Sequence, residues 1–170
     1  MKPSWNLSEN DILNELQTNE KLCKQPCHKN IVGIYRHIQL AGLYFIDMEL
    51  CDFNLQQWIY EPDTLNGMPT LDMRTMLKII RDVGRGLAFI HENEKIHRDI
   101  KPQNSIPLLH FNNTPLVLYS QLNGVWKIGD FGFSTDAASG VLVSEMGRGT
   151  PCYRAPELFL FSTYNDCTDI

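Results

Sequence analysis

The stretch "IHRDIKPQN", residues 96–104, packs Arg98, Asp99, Lys101 and Asn104 into one short loop. It follows a segment in which Met73, Met76, Leu77, Ile80, Val83, Leu87 and Ile90 recur at helical intervals. That spacing predicts an amphipathic helix over 71–92, with Thr70 as its N-cap and Asp72 behind it. Gly84 and Gly86 each weaken such a helix by about 1 kcal/mol relative to Ala, which points to another element packed closely there. Charged groups concentrated directly after a helix need partners, and those must come from the rest of the chain.

The chain has 170 residues, the size of one domain or of part of a larger one. Such a chain can bury roughly 70% of its unfolded surface, enough for a true core. With 43% hydrophobic and 21% charged residues the balance is that of a globular protein. The net charge of −5 is scattered, without the basic stripe of a nucleic-acid-binding surface, so no nucleic-acid partner is expected. The first twenty residues hold no apolar segment of the secretory kind, and no apolar run reaches bilayer length, so no membrane role is expected. Five cysteines, Cys23, Cys27, Cys51, Cys152 and Cys167, are odd in number and irregular in spacing. They fit reduced thiols in an intracellular protein, cytoplasmic or nuclear. Cys23, Cys27 and His28 lack a second Cys/His pair at ligand spacing and read as a loop with two free thiols rather than a zinc site.

Upstream, residues 8–22 predict a helix with Ser8 as N-cap and Glu9 and Asp11 in the first turn. Residues 31–39 and 42–50, rich in branched and aromatic side chains, predict two strands joined near Ala41-Gly42. Residues 54–61 predict a short helix. Downstream, 107–111 and 115–120 are short apolar stretches, Asn123-Gly124 marks a turn and 125–129 reads as a strand. From Asp130 onward the chain is Gly- and Ser-rich and loop-like.

Three motifs then fall in order: "HRDIKPQN" (97–104), "KIGDFG" (127–132) and "GTPCYRAPE" (149–157). Together they resemble the catalytic loop, metal-binding turn and following segment of a eukaryotic protein kinase. Lys101 within the first motif and Thr150 within the third follow the serine/threonine type. The resemblance covers nearly the whole chain. It implies an incomplete α+β, protein-kinase-like fold: a partial N-lobe from helix C, a hinge, and a C-lobe up to the start of helix F. Residues 1–170 would be one partial domain, with about 1–50 as residual N-lobe and hinge and about 51–170 as partial C-lobe.

The resemblance also implies roles. Asp99 would take or orient the proton of the substrate hydroxyl, and Lys101 would neutralise charge on the moving phosphoryl group. Thr150 would bond between them. Asn104 and Asp130 would hold Mg²⁺, a hard cation that calls for oxygen ligands. Phe131 and Gly132 would let the Asp130 segment pivot. Met48 would be the gatekeeper of the adenine slot, with backbone groups of Glu49 and Cys51 on the adenine edge. Arg98 would pair with a phosphate in the loop that follows, which holds Ser134, Thr135, Ser139 and Ser144, with Ser144 the expected site. His97 would be structural. Glu157 would anchor the last motif, and Asp169 would brace the catalytic loop. Glu15, with Glu20 as second choice, would be the helix C glutamate. The implied substrates are ATP and a protein Ser or Thr.

The pattern is also broken. The 170 residues contain no G-x-G-x-x-G loop and no V-A-I-K-type strand; Lys2 has no strand before it. Asn104 and Asp130 lie 26 positions apart, so a loop is expected to be inserted around 107–123. Taken by itself the chain is expected to be truncated, inactive and a poor folder. The alternative reading is a non-catalytic, pseudokinase-like binding module.

Overall fold

The computed structural model describes residues 9–23, 27–40, 43–61, 69–102, 117–137, 142–143, 150–159 and 163–170. Helix α1 (Glu9–Leu22) runs where the sequence places it, and its expected cap, Ser8, lies outside the described residues. Ile12 and Leu16 of α1 are buried against Ile46, with Ile34 and Met48 beside them. These partners come from an antiparallel hairpin, β1 (Ile34–Leu40) and β2 (Leu43–Met48).

The chain then enters a short strand, β3 (Phe53–Asn54), and helix α2 (Leu55–Tyr60). Asn54 caps α2 in a reciprocal arrangement: its side chain accepts from the Gln57 amide at 2.9 Å, and the Gln57 side chain accepts from the Asn54 amide at 3.0 Å. Strand β3 pairs with β5 (Val117–Ser120), which pairs with β6 (Val125–Ile128). Gly124 closes the β5–β6 hairpin with φ of 61°, a left-handed turn position that glycine takes without strain. Residues 117–123 therefore belong to a regular hairpin rather than an inserted loop. The rest of the expected insertion, 107–116, lies outside the described residues.

Helix α3 (Met73–Glu92) is capped by Asp72, not Thr70. The Asp72 carboxylate accepts from the Thr75 amide at 2.7 Å, and the Thr70 hydroxyl donates to Asp72 at 3.0 Å. An ionised oxygen is the better acceptor for a helix N-terminus, so Thr70 becomes its support. The hydrogen bonds from Thr75 and Thr70 hold the Asp72 carboxyl below its ordinary range. The apolar stripe read from sequence only half coincides with the buried face. Thr75, Asp82, Gly86 and Ile90 are buried, whereas Met73, Met76, Leu77 and Ile80 are exposed. Asp82 can occupy a core position because it has partners. Lys78 Nζ lies at 2.5 Å and the Trp126 amide donates to it at 3.2 Å. Gly86 is where β6 approaches: a Cβ there would lie 2.9 Å from the Asn30 carbonyl oxygen and 2.9 Å from Ile128 Cδ1, whereas at Gly84 it would meet nothing within 4 Å.

Two apolar clusters hold this body together. Leu22, Ile31, Ile90, Ile128 and Phe131 form one; Phe53, Trp58, Val117, Tyr119 and Trp126 form the other. The remaining strands are two residues each: β4 (Lys95–Ile96) with β7 (Thr135–Asp136), and β8 (Leu142–Val143) with β9 (Thr163–Tyr164). A one-turn helix, α4 (Pro156–Phe159), and two 3₁₀ turns (Pro151–Tyr153 and Asp166–Asp169) complete the described structure. No described helix is long and apolar enough to cross a membrane.

Candidate active site

The loop after β4 starts with an unusual backbone. Arg98 has φ of 66°, a left-handed conformation that costs a non-glycine residue on the order of 1–2 kcal/mol. The cause is visible at Asp169, whose buried carboxylate accepts from the amides of His97 at 2.8 Å and Arg98 at 2.7 Å. The same carboxylate meets the His91 ring at 2.9 Å. Two successive amides converge on one carboxylate, and this bends the loop so that Asp99 turns to the other side.

There Asp99 Oδ1 accepts from both the amide and the hydroxyl of Thr150, each at 2.7 Å. Asp99 Oδ2 pairs with Lys101 Nζ at 2.8 Å, and Lys101 also donates to the Thr150 hydroxyl oxygen at 2.6 Å. Asp99, Lys101 and Thr150, 51 positions apart in sequence at the widest, thus form a closed three-residue arrangement. Asp99 and Lys101 are both buried. A buried pair of opposite charges with additional hydrogen bonds is the form in which such charges are tolerated.

The second motif lies alongside. His97 is fully buried, meets the Gly129 carbonyl oxygen through Nε2 at 3.1 Å, and places its ring 5.3 Å from that of Phe131. Phe131 is locked in the apolar cluster with Leu22 and Ile128, while Asp130 beside it adopts φ of 58°. A Cβ built on Gly132 would lie 3.5 Å from Asp130 Oδ1 and 3.7 Å from Glu15 Oε2. Glu15, buried on α1, is therefore brought to the Asp130 turn. Glu20, the second choice, is exposed.

The Arg98 side chain donates to the Phe133 carbonyl at 2.7 Å and to the Tyr164 hydroxyl at 2.9 Å, and its guanidinium lies 5.8 Å from the Tyr164 ring centre. Glu157 accepts from the Thr168 hydroxyl at 2.9 Å. Asn104 and Ser144 lie outside the described residues. Met48, Glu49 and Cys51 follow one another where β2 leads into β3. The Glu49 amide donates to the Gly33 carbonyl at 2.7 Å, and its carboxylate accepts from the Gly33 amide at 3.1 Å.

Several partners were not singled out from the sequence. Lys127 pairs with Glu49 at 3.0 Å inside the fold, joining β6 to the Met48–Cys51 segment. A lysine flanked by apolar strand residues, as in "VWKIG", is the signal that could have exposed it, since such a charge is buried only with a partner. Asn14 and Thr18 of α1 grip Ser134: Asn14 donates to its carbonyl at 2.7 Å, and the Ser134 hydroxyl, which donates to the Phe131 carbonyl at 2.6 Å, accepts from the Thr18 hydroxyl at 3.0 Å. Ser134 is buried, which removes it from the accessible phosphorylation candidates. Nothing in the local sequence marks that contact.

A model of the protein kinase domain matches residues 2–170. This chain belongs to the protein kinase family. It is 33% identical over 144 residues to inhibitor of nuclear factor kappa-B kinase subunit alpha of Danio rerio, covering 83% of this chain and 17% of that protein. It is 28% identical over 151 residues to serine/threonine-protein kinase ULK1 of Homo sapiens, covering 88% and 13%. It is 31% identical over 144 residues to serine/threonine-protein kinase Nek5 of Mus musculus, covering 84% and 20%. The chain therefore spans a fifth or less of the length of these relatives, all of them named as kinases. The incomplete kinase-like α+β fold expected from the motifs agrees with the family match and the mixed helices and sheets.

Protein kinases work with ATP and Mg²⁺, and the donor set here fits a hard divalent ion. Asp130 offers carboxylate oxygen, and Asn104 would add an amide oxygen. Among the described residues no group of three or more His, Cys, Asp or Glu side chains forms a metal cage. Mg²⁺ held together with phosphates requires only one or two carboxylates from the protein.

Proposed function

We propose that this chain is the catalytic-loop part of a serine/threonine kinase domain, moving the γ-phosphoryl group of ATP to a Ser or Thr hydroxyl of a protein substrate. The observation that carries this reading is the Asp99–Lys101–Thr150 arrangement, fastened from behind by Asp169. A carboxylate has about four acceptor sites. Thr150 fills two on Asp99 and Lys101 a third, leaving about one for a substrate hydroxyl. As the new O–P bond forms, the hydroxyl proton passes to Asp99, and the bond from the γ-phosphorus to the bridging oxygen breaks, its electron pair leaving on ADP. Lys101 stands beside the developing charge. In phosphoryl transfer such positioning and electrostatic stabilisation supply most of the catalysis. Mg²⁺, held by Asp130 and Asn104, would supply charge neutralisation at the phosphates.

Residues up to about 50 would form the remaining N-lobe and hinge, with Met48, Glu49 and Cys51 bordering the adenine slot, and those after it the C-lobe. Ser144 would be the activating phosphorylation site, read by Arg98. A non-catalytic binding role is not favoured, because Asp99, Lys101, Asn104 and Asp130 are all retained. The test is transfer of labelled phosphate by the full-length protein. Asp99→Asn should lower turnover at least about 100-fold, the range of general-base contributions, while Mg²⁺-ATP still raises the unfolding temperature. Unchanged turnover in Asp99→Asn would overturn the assignment.

A further inference from the structure

The short segment between β2 and β3 is fastened at both ends. Glu49 and Gly33 exchange two bonds: the Glu49 amide donates to the Gly33 carbonyl at 2.7 Å, and the Gly33 amide donates to Glu49 Oε2 at 3.1 Å. Lys127 Nζ reaches the same oxygen at 3.0 Å, and the Asn123 side chain donates to Oε1 at 3.2 Å. At the other end the Asp52 amide donates to the Tyr119 carbonyl at 2.9 Å, and the Asp52 carboxylate accepts from the Gln121 amide at 2.7 Å. Tyr119, Gln121, Asn123 and Lys127 all belong to the β5–β6 hairpin. One hairpin therefore grips both ends of residues 49–52, while Leu50 between them is 90% exposed.

Lys127 is the most deeply placed member of this grip. Its side chain is 6% exposed and that of Glu49 17%. Its ammonium lies between the Glu49 carboxylate and the Ile31 carbonyl, the latter at 3.3 Å. The strand that carries it is itself anchored: the Val32 amide donates to the Ile128 carbonyl and the Ile128 amide to the Asn30 carbonyl, each at 2.9 Å. That strand leads on through Gly129 to Asp130. Residues 49–52 and the Asp130 turn are thus both referred to β6.

We propose that the β5–β6 hairpin, acting through Lys127 and Glu49, positions the base of the nucleotide by setting where residues 49–52 stand relative to Asp130. The inference rests on the reading of Met48–Cys51 as the border of the adenine slot. A buried ion pair adds little net stability over apolar residues of like volume, so its value here lies in placement. With its amide committed to Gly33, Glu49 offers a base its carbonyl, an acceptor. Adenine presents an amino donor where guanine presents an oxygen acceptor, so correct placement of this carbonyl favours ATP over GTP. Lys127 is a positioning residue, acting through Glu49. The base is remote from the bond that breaks, and its contacts serve ground and transition states alike. Losing one raises KM with little change in kcat.

The test uses the full-length protein with ATP, ADP and GTP. In Lys127→Met the KM for ATP should rise roughly 3- to 10-fold, the loss of about one hydrogen bond, with kcat changed less than about twofold. The Kd for Mg²⁺-ADP, read by calorimetry, should rise by the same factor. The kcat/KM with GTP, which has no such bond to lose, should stay within about twofold. Lys127→Met/Glu49→Gln removes both charges. It should recover the unfolding temperature lost by the single variant yet keep the raised KM, and it decides the matter should the single variant fail to fold. An unchanged KM for ATP in a folded variant, equal losses with ATP and GTP, or a double variant that recovers KM along with stability would overturn the proposal. Absence of nucleotide binding by the wild-type protein is a separate result, which would overturn the reading of Met48–Cys51 and this inference with it.

Discussion

Removing the Asp169 carboxylate should be among the most damaging single changes outside the apolar core. In Asp169→Ala the His97 and Arg98 amides, now held at 2.8 and 2.7 Å, lose their acceptor. His97 is fully buried and the Asp169 side chain itself is shielded from water, so solvent cannot easily replace it. A buried donor left unpaired costs about 1–3 kcal/mol, so two cost about 2–6 kcal/mol. The left-handed backbone of Arg98 also loses what holds it, although relaxation there returns part of the cost. Against a total stability of about 5–15 kcal/mol this is a large fraction. For a protein of this size each kcal/mol moves the unfolding midpoint by about 2–4 °C, giving a drop of roughly 4–24 °C. Thermal and urea unfolding followed by circular dichroism measures it. His91→Ala is the control, because it removes only the third bond at 2.9 Å and should cost about 1 kcal/mol. A cost below about 1 kcal/mol for Asp169→Ala, or equal costs for both variants, would refute the claim that the paired amides fasten the loop.

Gly84→Ala should stabilise the protein by about 0.5–1 kcal/mol in urea unfolding, because the added methyl enters open space and a helix gains by losing glycine. Gly86→Ala should destabilise by about 1–2 kcal/mol in the same assay: its methyl would press on the Asn30 carbonyl, which cannot yield easily while accepting from the Ile128 amide at 2.9 Å. Thr150→Ala should lower phosphotransfer by the full-length protein about 10- to 100-fold, whereas Thr150→Ser, which keeps the hydroxyl between Asp99 and Lys101, should retain most of it. The Asp72 carboxyl is held lower in the folded state than in the unfolded chain, so its contribution is present above the ordinary carboxylate range and lost as pH falls through the folded value; acid titration of helicity should be shallower in Asp72→Ala.

The site was more legible than the packing that supports it, and the reason is physical. The proposed phosphoryl transfer calls for particular groups at short separations, and Asp99, Lys101 and Asn104 stand within six residues of sequence and Asp130 within one short motif. Local capping chemistry is almost as direct, and α1, α2 and α3 begin within two residues of the expected positions. The miss at Thr70 arose because two good acceptors stand two residues apart and only geometry ranks them. Period alone also misjudged α3. Met73, Met76, Leu77 and Ile80 make a convincing stripe, but burial is decided by what lies opposite, and Asp82 wins a core place through Lys78 and Trp126.

Local sequence pattern does not convey how polar groups are matched across distance; only the family resemblance pointed Asp169 at the loop it braces, and nothing pointed to the other two ties. Asp169 reaches back 71 and 72 positions to the loop it bends, Lys127 reaches Glu49 across 78, and Ser134 reaches Thr18 across 116. Each contact joins elements that share no local pattern, and each restrains a different side of the same small region. Asp169 fixes the Asp99 loop from below, Lys127 ties β6 to the Met48–Cys51 segment, and Ser134 holds α1, with Glu15, against the residues after Asp130. Loss of any one tie leaves the other two intact, so single substitutions at Thr18 or Lys127 should shift the position of one element without dispersing the Asp99–Lys101–Thr150 arrangement. Loss of Asp169 acts on that arrangement directly, because it alone among the three grips the backbone on which Asp99 is carried.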